Sequence, residues 1–127
     1  VPLPWEAGTN ESNGFSTAGG DGWLPQPESY KRYARNLQVG QAGSTLELYK
    51  QALKLRKQLK LGEGSFDWAP EFIGDSSLGY RNGEVLVVHN FGHSPIELPR
   101  GEVLASSLHG MTSGHVLAAD QTVWLKL

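Results

Sequence analysis

The chain has 127 residues, about one domain's worth, and 39% of them are hydrophobic, enough for a sizeable core. A formal net charge of −2 gives no basic footprint for nucleic acid, and no apolar stretch approaches membrane-spanning length. No cysteine is present, which excludes disulfides and thiolate chemistry and fits a reducing compartment, so the expected location is the cytoplasm. No signal-peptide pattern opens the sequence.

Residues 1–43 read as an irregular loop. Pro2, Pro4, Pro25 and Pro27 interrupt any regular element, and seven glycines punctuate the rest. Yet the stretch carries Trp5, Phe15, Trp23, Tyr30 and Tyr33, which a disordered linker normally lacks. Long ordered loops of this kind usually serve a function. The simplest reading is a loop pinned onto protein outside this chain, which makes the sequence a C-terminal portion of something longer.

Ser44–Leu61 is the one segment with a strong helical period. Ser44 and Glu47 form a capping-box pattern at its start, and Gly62 is expected as the left-handed residue that ends it. Leu48, Ala52, Leu55 and Leu59 fall on one stripe, which Leu46, Tyr49 and Leu53 widen to about half the circumference. Such a helix needs apolar neighbours on two sides. Arg56 projects within that arc, either toward a buried ion pair or, preferably, to the rim.

Beyond Gly62 the period changes to two. Ser65–Ala69, Ser77–Arg81, Glu84–Phe91, Ile96–Leu98, Glu102–Ser106, His115–Ala118 and Gln121–Leu127 read as short strands, with a hairpin turn at Asn82-Gly83. The unbroken apolar run Val85–Val88 predicts a central strand covered on both faces. The expected fold is mixed: an irregular loop and one helix, then an antiparallel all-β sandwich.

Few residues fall in a pattern that carries chemistry. His89 and His93 straddle a strand end instead of pairing on a helix, so His89, His93, His109 and His115 read as strand-end and turn residues, and no metal site or cofactor is expected. No spacing selects an acid/base pair from the thirteen carboxylates; Asp67 is expected to face water while Phe66 and Trp68 pack. Ser106 and Ser107 lack a nucleophile-elbow motif. Trp5, Phe15 and Trp23 present flat rings suited to the apolar faces of sugars, or serve as loop anchors in a local core.

Several stretches resemble the end of an α-glucosidase of the α-amylase superfamily (glycoside hydrolase family thirteen), in its oligo-1,6-glucosidase-like branch. They are Val1–Glu6, Gly14–Thr17, Trp23–Pro25, Ser44–Tyr49 with Leu55-Arg56, Glu84–Phe91, Val103–Ser107 and Leu117–Leu125. The sequence departs from that pattern at His89, in the short segment Asn36–Gly43 and in the lack of proline in Leu117–Asp120. The resemblance implies that residues 1–61 are the end of a catalytic (β/α)8 barrel, the loop after strand eight and helix eight. Residues 62–127 would be the C-terminal sandwich domain.

It further implies a parent enzyme that cleaves terminal α-glucosidic bonds of small oligosaccharides with retention. The partners of this chain would be the N-terminal barrel and, through the parent, the sugar. Loops after barrel strands lie on the catalytic face, so Trp5, Phe15 and Trp23 are candidates to line the substrate cleft. None of the family's catalytic motifs occurs in this chain, so no catalytic residue is carried over and the polypeptide alone is expected to be inactive. The alternatives are a sucrose- or trehalose-isomerising glucosyltransferase of the same superfamily, and a stand-alone carbohydrate-binding or structural sandwich.

Overall fold

The structure is a computed structural model that describes residues 3–17, 24–110 and 115–127. The chain forms two compact units, Val1–Glu47 and Leu48–Leu127. In the first, a 3₁₀ turn at Glu28–Tyr33 and the short helix α1 (Arg35–Gln38) interrupt what the sequence presents as continuous loop. Pro27 supplies the extended entry to that turn, and its carbonyl accepts the Tyr30 N–H at 2.8 Å.

Helix α2 (Thr45–Gln58) starts in the first unit and continues in the second. Ser44 does cap it: its Oγ accepts the Glu47 N–H at 3.3 Å and donates to the Gln38 carbonyl. The other half of the box is rewired. Glu47 Oε1 takes the Gly40 N–H at 2.9 Å, and the Ser44 N–H goes to the Gln41 carbonyl.

The helix ends before Gly62. Lys60 takes the left-handed conformation, with φ +51°. Leu61 N–H donates to the Arg56 carbonyl at 3.0 Å and Lys60 N–H to that of Lys57, the pair of bonds that defines a Schellman end. The early stop has a packing cause, since it drops Leu61, 8% exposed, onto Val85 and Val87.

The strands of the second unit are β1 (Phe66–Trp68), β2 (Ser77–Asn82), β3 (Val85–Asn90), β4 (Ile96–Glu97), β5 (Glu102–Ser106), β6 (Val116–Leu117) and β7 (Gln121–Lys126). Five of them form an antiparallel sheet in the order β1-β2-β3-β7-β5, and β4 pairs with β6 in a small second sheet. The β2–β3 turn lies one residue later than Asn82-Gly83. Asn82 pairs with Val85, which leaves Gly83-Glu84 as the loop, and Gly83 takes the positive φ of +56°.

β3 is central, and Val85 to Val88 are all buried. Leu86 and Val88 point with Val123 and Leu125 to one face, where Leu98 and Leu117 of the small-sheet region and Ala69 close a core. Val85 and Val87 point to the other face, against Leu59 and Leu61 at the end of α2. One strand therefore holds two cores. Asn90, 2% exposed, fastens its end: Nδ2 donates to the carbonyls of Ser94, Leu117 and Ala118, and Oδ1 accepts from Gly92.

Two substitutions check this account by urea denaturation. Lys60→Gly should stabilise by up to ~1 kcal/mol, because the left-handed position costs an L side chain about that much. Gly79→Ala should destabilise by about 1–3 kcal/mol, since the added methyl falls on Phe72 Cβ and lies 3.3 Å from the Ala69 carbonyl oxygen.

Candidate functional site

Trp5 is held by backbone on both sides. Its N–H and that of Glu6 both donate to the Asn13 carbonyl, at 2.8 and 2.9 Å, while its own carbonyl accepts the Asn36 N–H at 3.0 Å. Asn13 can serve this way because the turn before it is tied by Asn10. The Asn10 Oδ1 accepts from Ser12 N–H, Ser12 Oγ and Gly14 N–H, and its Nδ2 donates to the Ser16 carbonyl. Within the described part of this loop, the Asn10 side chain thus supplies hydrogen-bond partners that a helix or strand would otherwise provide.

The indole lines a cavity of about 280 Å³ with Leu3, Pro4, Tyr33, Arg35, Gln38 and Leu46. Phe15 is 55% exposed, on the Asn10-tied turn, and does not line this cavity; Trp23 lies outside the described residues. Of the two described candidates, Trp5 and Phe15, the structure therefore brings Trp5 to a cavity. Its lining offers aromatic and aliphatic surface, one amide and one guanidinium, and no carboxylate pair. That inventory suits binding and cannot supply the two carboxyl groups of glycoside hydrolysis.

A second cluster was not anticipated. Phe66, Trp68, Tyr80, His89 and Phe91 form a row of rings across β1, β2, β3 and the residue that follows β3, with successive centroids 5.0–5.8 Å apart along Trp68–Phe66–Tyr80–His89–Phe91. Asp67, between the two β1 rings, is exposed as expected, yet Phe66 and Trp68 are also more than half exposed. The period-two spacing of Phe66/Trp68 and of His89/Phe91 carried the signal, but only strand register shows that the pairs share a face. His89 Nδ1 lies 2.8 Å from Thr122 Oγ1, and burial holds its imidazole below the ordinary value.

Arg81 donates to Glu71 and holds that carboxyl below the usual carboxylate range, in an exposed pair that solvent screens. Among the described residues no group of three His, Asp or Glu side chains is placed to hold a metal ion, and no helix is long and apolar enough to cross a membrane.

No family model matches the chain. Over 98% of its length it is 34% identical to the salivary α-glucosidase of Aedes aegypti, and over its whole length 29% identical to an α-glucosidase of Schizosaccharomyces pombe. It spans 22% and 24% of those two proteins. The chain resembles about a quarter of an α-glucosidase. The α-glucosidase resemblance drawn from the sequence motifs thus extends over the whole chain and fits a C-terminal portion.

This α-glucosidase-like chain also matches in fold a quarter of a trehalulose synthase (TM-score 0.73, 24% identity) and of the trehalose-6-phosphate hydrolase of Bacillus licheniformis (TM-score 0.74, 23% identity). The first match covers 100% of the chain and the second 98%.

Because the fold disfavours the His89 imidazolium, the unfolded chain binds the extra proton as pH falls. Stability from this residue is full above about pH 6.5 and is lost as pH drops toward the lower folded value. Urea titrations at pH 7.5 and 5.5 should show that loss, and His89→Gln should flatten it. An unchanged pH dependence in the variant would refute the assignment.

Proposed function

We propose that this chain is the C-terminal portion of a retaining glycoside hydrolase that removes terminal α-linked glucose from small oligosaccharides. Residues 1–61 complete its catalytic barrel and residues 62–127 form its C-terminal sandwich. The observation that carries the proposal is the outer face of α2. Leu48, Ala52, Leu55 and Leu59 are half-buried, whereas Tyr49 and Leu53 are 65% and 62% exposed. A helix with solvent-exposed Tyr and Leu beside its half-buried stripe is suited to a second apolar neighbour, and the curated relatives are about four times as long as this chain.

In this reading the polypeptide performs no chemistry of its own and stabilises the barrel. Arg56 is exposed with its guanidinium over Gly62, which fits a rim position better than a buried ion pair. Trp5, Phe15 and Trp23 line the parent's substrate cleft, the first of them through the backbone clamp described above. A second reading, a sucrose- or trehalose-isomerising glucosyltransferase of the same superfamily, shares the same C-terminal motifs; the identities to two α-glucosidases favour hydrolysis.

The 127-residue chain should release no glucose from maltose, while the parent does so with retained anomeric configuration. Leu53→Asp should destabilise the parent by about 2–3 kcal/mol, the worth of a buried leucine, and the isolated chain by less than about 0.5 kcal/mol. Equal, small effects in both would remove the basis for the proposal.

A further inference from the structure

The two faces of the five-stranded sheet are finished differently. On one, Leu98 and Leu117 bring the small β4–β6 sheet over Leu86, Val88, Val123 and Leu125, and the core is closed from within the chain. On the other, the register aligns Trp68, Tyr80, Val87 and Trp124 across β1, β2, β3 and β7, and Leu78, His89 and Thr122 one step along. α2 covers only part of that face: its end packs on Val85 and Val87, and its middle borders Ala105, Thr122 and Trp124. The β1–β2 side of the face is left to the aromatic row, where Phe66, Trp68 and Phe91 are 53%, 56% and 63% exposed.

We propose that the row Phe66–Trp68–Tyr80–His89–Phe91 is an interdomain contact, covered in the parent by the same body that covers Tyr49 and Leu53. This rests on the reading of the chain as part of an α-glucosidase. The occupant is the remainder of the parent polypeptide, for three reasons. Row and helix lie on the same side of the sheet, so one body reaches both. That remainder is large, since the matched relatives extend over about four times this length. The row presents three exposed aromatic rings and no carboxylate, lysine or arginine of its own, which suits an apolar protein surface. The orientation of the sandwich follows: its α2 side faces the catalytic part, and its β4–β6 side faces away.

The chain has no cysteine, so single thiols report exposure cleanly. Leu53→Cys, Phe66→Cys, Trp68→Cys, Phe91→Cys and the control Val116→Cys, at a β6 position 52% exposed, are placed in the parent and in the isolated chain. Alkylation is then followed peptide by peptide by mass spectrometry. The expected result is protection of positions 53, 66, 68 and 91 by at least about tenfold over 116 in the parent, and comparable labelling of all five in the isolated chain.

Fast labelling of the row with Leu53→Cys still protected overturns this inference and leaves the α-glucosidase reading standing. Fast labelling at position 53 as well overturns both. Protection of the row that vanishes on dilution points to a second copy, and protection that needs added maltotriose points to a sugar; either outcome overturns the proposal. Phe66→Cys and Phe91→Cys test the row independently should Trp68→Cys fail to fold.

Discussion

The packing of Leu59 and Leu61 onto Val85 and Val87 is the constraint on which the second unit depends. It forces α2 to end at Lys60 in an unfavourable left-handed turn, and it uses the helix to close one side of a strand whose other side is closed by β4 and β6. A leucine or valine fully buried this way contributes about 1.5–3 kcal/mol, more than the ~1 kcal/mol of the strained turn. The same contact fixes which stripe of α2 turns inward. Tyr49 and Leu53 are left on the outside as a consequence, and from that exposure the functional reading follows.

Much of this was legible in the residues. The run Val85–Val88 announced a central strand, and period two placed the remaining strands to within a residue or two at their ends. The helix stripe was legible too, because apolar spacing reports burial directly. Terminations were less so: Gly62 is chemically the better left-handed residue, yet the demand to bury Leu61 moved the end to Lys60. In the hairpin, strand pairing kept Asn82 in the ladder and pushed the turn onto Gly83-Glu84. Local chemistry proposed and tertiary packing decided.

The site was less legible than the fold. Trp5 could be singled out as a flat apolar ring in an odd loop, but its clamp between Asn13 and Asn36 depends on backbone hydrogen bonds that reach across about thirty residues of sequence, which no local pattern encodes. The aromatic row was hidden for a related reason. Its members come from three strands and the residue that follows β3, and become neighbours only when β1, β2 and β3 are paired in one register.

The proposed role of α2, to meet the rest of a catalytic barrel with its apolar outer side, is tested by reconstitution. The upstream part of the parent, produced separately, is titrated with this 127-residue chain, and maltose hydrolysis is followed. If α2 meets the barrel in this way, the upstream part has little activity alone and gains activity that saturates at one chain per barrel. Full activity of the upstream part without this chain, unchanged on its addition, would rule the role out.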